Sequence, residues 1–439
     1  MKLFSPIAFL LLVFIKSLFS LDNKLIDVEL HSEVKEKTEL KKHWNIDVLL
    51  SMVENKSLAI LSEKEKTYAS REGTVSSQYD FIPEVSLSLT YDDYAKIAKI
   101  LRYSEPNPYE VYRYGVNLKL PLYDGFKKYH SLKYAELNER LSNAKLNQVI
   151  EEYQIKMIDA YYNHLGLHMQ LNLLKETESL FMKLTQVSKQ KLDAKAMSRL
   201  NFLDMTLKEK NFQIRLMSIK QEYKNSLNEL SAVLNVKTSF WDKHSFPQCT
   251  QPKQKELLYD VASTSNRSKV LKSQLTAEEY KKNITRSGFK PTISLITQWD
   301  SKALDRYRSN HDNSEYSVSL SFDWSLSQIF KTRQQLKSDE FKNRSLELKW
   351  EQSLLDSVNQ RKQLQNKLEQ LKREVELRES MLTQQNYKLD LAKEDFGKGL
   401  LDQSRFIQYE IDYNESKIQV KNSIVEYCRN FKKLELLIK

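Results

Sequence analysis

His164 and His168 stand four residues apart, a spacing that on a helix brings two imidazoles to one face and can hold a metal ion. Residue 165 is Leu, where a zinc-protease motif carries Glu between its histidines. No third ligand stands nearby in sequence, so two unrelated surface histidines are the better reading. Neither a metal nor a cofactor is expected. The chain contains no Gly-rich phosphate loop, no Cys-x-x-Cys and no Gly-x-Ser-x-Gly. Ser, Asp and Glu are plentiful, yet nothing sets a nucleophile beside a base or pairs two carboxylates. The chain therefore reads as a non-enzyme, and its function has to come from architecture.

The chain's 439 residues are enough for two domains or for one elongated fold. Seven Gly and eight Pro exclude collagen-like and Gly/Pro-rich disordered chains. A charged fraction of 29% excludes a polytopic helical membrane protein, though not a transmembrane β-barrel, whose strands are short and only half apolar. Lys2 is followed by the apolar run Ile7 to Ile15 and by Ser17 and Ser20, the pattern of a secretory signal peptide over residues 1–20. The run is too short for a transmembrane helix, and an uncleaved anchor is the other reading. Past residue 20 there is no second long apolar stretch, so membrane insertion would have to be by strands.

The formal charge is +11, or +9 once Lys2 and Lys16 are removed with the leader. Lys and Glu alternate, as in Glu63-Lys64-Glu65-Lys66, which describes solvated helix faces rather than a nucleic-acid stripe. No nucleic-acid partner is expected. Cys249 and Cys428 could pair in an exported protein, but spacing alone does not show it.

The chain repeats itself. Phe81-Ile82-Pro83-Glu84-Val85-Ser86-Leu87 resembles Phe289-Lys290-Pro291-Thr292-Ile293-Ser294-Leu295, the two prolines lying 208 residues apart. Val116 to Leu120 resembles Val318 to Phe322, and Leu192 to Phe202 resembles Phe396 to Phe406, at offsets of 202 and 204. Residues 21–45 read as a charged lead-in, 46–237 as the first repeat, 238–255 as a connector and 256–439 as the second repeat. Each repeat opens with an amphipathic helix, from Val48 to about Glu72 and from Leu257 to about Arg286.

Strands are expected at about 82–91, 112–122, 290–299 and 315–324, from alternation of apolar and polar residues. Their length suits a tilted strand crossing a bilayer, and Tyr91, Tyr112, Tyr123, Trp299 and Trp324 sit near their ends like an interfacial girdle. Alternation alone does not separate lipid from a protein core. If lipid covers one face, Val85, Leu87, Leu89, Leu118, Leu320 and Phe322 are the candidates to meet it. Four strands cannot close a barrel around a pore, so several chains would have to contribute.

Long helices are expected at about 127–190 and 331–395, free of Pro and with Gly166 as their sole Gly, each about 95 Å at 1.5 Å per residue. In the second, Trp350, Leu354, Val358, Leu364, Leu368, Leu371, Val375, Leu382 and Leu389 fall on a three-four spacing, a coiled-coil seam interrupted by Arg361 and Arg378. Breaks follow at Leu192 to Ser198 and Phe396 to Asp402, and helices return at about 199–236 and 401–438.

Two tandem copies of a strand pair plus a long helical hairpin resemble the TolC family of outer-membrane efflux channels. Leu118-Lys119-Leu120-Pro121-Leu122-Tyr123-Asp124-Gly125-Phe126 is similar to that family's strand-to-helix junction L-x-x-P-L-[FY]-D-G-G, and Phe396-Gly397-Lys398-Gly399-Leu400 to its second hairpin tip. The likeness runs from about Val48 to Ile438. It implies a mixed α/β membrane protein assembled as a homotrimer: a 12-stranded transmembrane β-barrel continued by a periplasmic α-helical barrel. It also implies a passive exit duct for a tripartite efflux or type I secretion system, working with a periplasmic adaptor and an inner-membrane pump.

The same resemblance assigns the tips Lys195, Ala196, Met197 and Lys398, Gly399, Leu400 to adaptor contact. It assigns Asn201, Asp204, Arg405 and Gln408 to the periplasmic entrance. There the family often carries acidic residues; here Asp204 keeps its carboxylate and Arg405 reverses the sign. The second junction, Asp323-Trp324-Ser325-Leu326-Ser327, lacks the Pro and the Asp-Gly. An exported coiled-coil scaffold with a soluble β cap remains the alternative of a different class.

Overall fold

The structure, a computed structural model, describes residues 45–93, 110–237, 265–303 and 314–438. The expected signal peptide, nearly all of the lead-in, the connector with Cys249 and the opening of the second repeat lie outside the described residues. The element order is α1 (Ile46–Lys56), α2 (Leu58–Tyr79), β1 (Glu84–Asp93), β2 (Glu110–Tyr123), α3 (Lys127–Asp193) and α4 (Arg199–Leu234), then α5 (Asn266–Ser287), β3 (Thr292–Ala303), β4 (Ser314–Asp323), α6 (Leu326–Gly397) and α7 (Gln403–Ile438). The opening helix of the first repeat is divided rather than continuous. Ser57, buried and extended at φ −67° and ψ 120°, ends α1 with its N–H on the Val53 carbonyl and leads directly into α2.

Local chemistry sets the helix ends. The Ser198 hydroxyl accepts the Asn201 N–H at 3.2 Å and starts α4; the Ser265 hydroxyl accepts the Ser268 N–H at 3.3 Å and starts α5. α3 and α6 close with the same left-handed cap. Ala196 N–H bonds Lys191 O and Lys195 N–H bonds Leu192 O, matching Leu400 N–H to Asp395 O and Gly399 N–H to Phe396 O. The left-handed position is Gly399 (φ 72°) in one copy and Lys195 (φ 55°) in the other, where a Cβ makes it costlier.

The four strands form one antiparallel sheet in the order β1-β2-β3-β4. Register carries the alternation of each strand across the whole sheet. Val85, Leu118, Thr297 and Val318 lie opposite one another, as do Leu87, Val116, Trp299 and Tyr316, on one face. The other face holds the rows Ser86, Asn117, Gln298, Ser317 and Glu84, Lys119, Ile296, Ser319, with Ile296 the apolar exception. The β2–β3 register shifts between Pro121 and Tyr123, where Pro121 has no N–H to donate.

α3 is the spine. Met157, Ile158, Tyr161, Tyr162 and Leu165 pack with Leu49 and Val53 of α1, Ile60 of α2, Leu230 and Leu234 of α4, and Val425 and Cys428 of α7. Further along, Leu174, Phe181 and Leu184 pack with Phe212, Leu216 and Ile219 of α4 and Ile407, Ile411 and Ile418 of α7. Cys428 is buried and disulfide-bonded. The helices therefore lie side by side as α4–α3–α7–α6 toward the hairpin tips and as α2–α3–α5–α6 toward the sheet.

The seam along α6 differs from the sequence expectation in its upper part. Leu371, Val375 and Leu389 are buried as expected, and Ala392 with them, but above them the buried positions are Ser353 and Ser357, while Val358 is exposed. Both serine hydroxyls donate to the carbonyl three residues back, at 2.8 Å, which satisfies them without widening the helix contact. No described helix is long and apolar enough to cross a membrane.

Candidate functional site

Three regions divide the surface by chemistry: the sheet, the strand-to-helix junction and the hairpin tips. On the sheet, the apolar face is open. Leu87 is 78% exposed and Leu320 67%, and Val85, Leu89, Val318 and Phe322 are likewise exposed. The structure thus gathers the sequence-selected Val85, Leu87, Leu89, Leu118, Leu320 and Phe322 onto one face, uncovered by any described element. An apolar patch left open at this density marks a surface meant for something other than water.

At the junction, the Asp124 carboxylate accepts the Lys128 N–H at 2.8 Å and caps α3. Gly125 (φ 71°) and Phe126 (φ 69°) turn the chain from strand to helix. A Cβ at Gly125 would come within 2.9 Å of Lys290 Cβ and 3.0 Å of Ser287 O, so this Gly is required by space as well as by φ. The Lys290 ammonium sits 4.9 Å from the Phe126 ring centroid, tying the first junction to the start of β3. In the second copy, which lacks the motif, the Trp324 indole N–H donates to Phe289 O at 3.2 Å instead.

At the tips, Lys195, Ala196 and Met197 form the turn of the first hairpin and Lys398, Gly399 and Leu400 that of the second, with Leu400 77% exposed. Asn201, Asp204 and Arg405 are exposed on the first turns of α4 and α7; the Gln408 amide N–H donates to Asp412 at 2.8 Å. Phe396 stacks on Phe406 at 5.0 Å across the second turn.

Sequence reasoning missed the tie between the hairpins. The Lys191 ammonium on α3 bonds the Asp402 carboxylate and the Ser404 hydroxyl (3.1 Å) at the start of α7, 211 residues away. Burial alone would push the Asp402 carboxyl up. Hydrogen bonds from Lys191 and Ser404 outweigh it and hold the carboxyl below its ordinary range. No local signal marks such a pair, because its members share neither a helix turn nor a strand register.

One of the two histidines is not a surface group, contrary to the sequence reading, while His168 is half-buried. His164 is fully buried between α3 and α4. Its Nδ1 lies 2.8 Å from the Ser226 hydroxyl, which itself donates to Tyr223 O, so Nδ1 carries the proton and the ring is neutral. Tyr223 lies against both rings, at 4.8 Å from His164 and 5.9 Å from His168. Burial first, and the neighbouring His168 second, lower the His164 pKa from 6.5 to about 4.

Because the folded state resists protonation, stability is full above pH 6.5 and falls as the pH drops from 6.5 toward 4. The loss expected from that shift is about 3 kcal/mol per chain. Thermal melts from pH 7.5 to 4 should show it, and His164→Gln should flatten the slope over that window. A slope unchanged in the variant would assign the acid sensitivity elsewhere.

The chain is thus an antiparallel sheet with one apolar and one polar face, set on two paired helical hairpins. Residues 49–236 match the family model of outer membrane efflux proteins. The chain's fold is that of solved channels. The outer membrane channel CmeC of Campylobacter jejuni superposes with a TM-score of 0.80 at 11% identity, covering 90% of this chain and 85% of that one. The outer membrane protein VceC of Vibrio cholerae gives 0.75 at 12%, covering 90% and 94%. The open state of the MtrE outer membrane channel of Neisseria gonorrhoeae gives 0.70 at 11%, covering 90% and 88%. No curated protein matches the chain by sequence.

Proposed function

We propose that three copies of this chain form a passive exit duct, with a 12-stranded barrel in the outer membrane and a helical tunnel below it. The observation that carries this reading is that every layer of the protomer ends in an open edge. The sheet ends at β1 and β4, each paired on one side only among the described residues. The helix row toward the tips ends at α4 and α6. Both edge helices expose apolar residues: Leu200, Leu203, Leu207, Ile214 and Met217 on α4, and Leu377, Met381, Tyr387 and Leu391 on α6. On α4 these fall at successive steps of three, four, seven and three residues, a second coiled-coil seam with no partner among the described residues. A head-to-tail contact of α6 with the next chain's α4, and of β4 with its β1, closes both layers by one rotation.

In this arrangement Val85, Leu87, Leu89, Leu118, Leu320 and Phe322 face lipid, and the serine-rich face lines the lumen. The open apolar face counts against the soluble-cap scaffold, which needs protein over it. The tips meet a periplasmic adaptor, which connects the duct to an inner-membrane pump; energy comes from the pump, and the duct has no catalytic step. Single-channel recording of the purified mature protein in a planar bilayer, with its mass measured on the same sample, tests the reading. Discrete conductance steps from a trimer support it; a monomer or dimer that never inserts overturns it.

The Lys191–Asp402–Ser404 contact would hold the two tips of each chain together at rest. Lys191→Ala should raise resting conductance a few-fold, since a partly exposed ion pair contributes about 0.2–1 kcal/mol and the trimer has three. Conductance equal to wild type would place the restraint elsewhere. Acid should have the same effect only below the ordinary carboxylate range, where Asp402 takes up its proton. Asn201, Asp204, Arg405 and Gln408 would line the periplasmic entrance. Arg405→Asp should then shift ion selectivity toward cations, and unchanged reversal potentials would remove Arg405 from the entrance.

A further inference from the structure

The two hairpin tips differ in charge. Residues 183–208 around the first turn carry six cations and two carboxylates, whereas the equivalent residues 387–412 carry four cations and six carboxylates. They also differ in how the charges are satisfied. At the second tip Lys393 pairs with Asp390 at 3.1 Å and Lys398 with Glu394 at 3.8 Å. At the first, Lys191 is taken by Asp402, while Lys183, Lys189, Lys195, Arg199 and Lys208 are all exposed. Among the described residues none of these five has a carboxylate within 4 Å; the nearest pair on α4, Arg215 with Glu415 at 3.5 Å, lies further up the hairpin.

The Thr185 hydroxyl donates to Glu209 at 2.7 Å, which sets Lys183 and Lys208 at one level of the two antiparallel helices. All five cations thus fall within about three helical turns of the 194–198 turn. The strained left-handed position holds Lys195, where the other hairpin uses Gly399, so a cation is kept at the apex against a local backbone cost.

We infer that the tip of the first hairpin is an electrostatic docking surface for an acidic protein partner, and that the second tip is not. This rests on the duct reading, in which that partner is the periplasmic adaptor, and it assigns the sign of charge the adaptor must present. The two carboxylates in the patch, Asp193 and Asp204, favour a protein over a lipid surface. Against a layer of anionic headgroups they would only repel, whereas against a protein of mixed charge they fix register. A surface of this kind acts on encounter rate and specificity and weakens with salt.

The experiment uses the full-length protein in nanodiscs, with each periplasmic adaptor encoded in the same genome, purified and tested singly by surface plasmon resonance. Wild-type affinity for one adaptor should fall about tenfold between about 50 mM and about 300 mM NaCl. The triple variant Lys189→Glu, Arg199→Glu, Lys208→Glu should lose at least about thirtyfold, and the corresponding Gln variant an intermediate amount. Lys393→Glu with Lys398→Glu, at the other tip, should cost less than about threefold.

Salt-independent binding, an equal loss from the second tip, or no adaptor bound at any salt would each overturn the inference. Binding of phosphatidylglycerol vesicles by the first tip, with no adaptor bound, would replace the protein partner with a membrane surface. The duct reading stands or falls separately, on the wild-type conductance steps.

Discussion

Replacing Leu207 and Ile214 together with Asp should leave a chain that folds its hairpins but no longer assembles. Both residues are exposed by about 61% on the edge helix α4, away from the packed Phe212, Leu216 and Ile219. The monomer therefore loses little, and its helical circular dichroism should be that of wild type. In a closed ring each residue would be buried against the next chain's α6. Loss of a buried Leu or Ile side chain removes about 1.5–3 kcal/mol, and an unpaired carboxylate left in the seam adds a desolvation cost of several more. With three seams in a trimer the combined penalty exceeds what an interface of ordinary stability can absorb. Mass photometry of the detergent-purified variant reads the result directly. Trimers at wild-type proportion would mean that this face of α4 is not the seam, and the proposed order of closure would have to be abandoned.

The second large effect belongs to the sheet. Leu87→Arg places a cation in the middle of the apolar face, opposite Val116 and two strands from Trp299. At mid-bilayer depth such a substitution costs about 2–4 kcal/mol at each site, three times over in a barrel built from three chains. Outer-membrane fractions should hold little or none of the variant. Ser319→Arg is the matched control, because register sets Ser319 on the opposite, polar face beside Ile296. It should insert and assemble but conduct less, its side chain standing in the lumen. If both variants fractionate alike, the division of the sheet into lipid and lumen faces is wrong.

Elements whose rules are local were the ones legible in the residue string. Strict alternation in β1 and β4 marked strands, because side-chain direction reverses at every residue whatever lies beyond. β3 departs from strict alternation, since Ile296 falls on the polar face; only pairing with Lys119 and Ser319 shows where it sits. Asp124-Gly125 marked the junction because capping and positive φ are properties of single residues. The tips were visible for the same reason. The doubling of the whole pattern fixed the architecture class before any contact was known.

What the tertiary structure alone decided were pairings between residues distant in sequence. His164 and His168 looked like surface groups because helical spacing gives a face but not its neighbour; α4, arriving with Tyr223 and Ser226, buries one of them. The Lys191–Asp402 tie and the serine contacts of α6 have the same origin. So has the exposure of Leu207 and Ile214, whose spacing is that of any core helix until the row of neighbours is seen to stop at α4. Periodicity is set by backbone geometry, which each segment carries in itself, whereas burial and pairing depend on which segments meet, and that is settled by packing the whole chain at once.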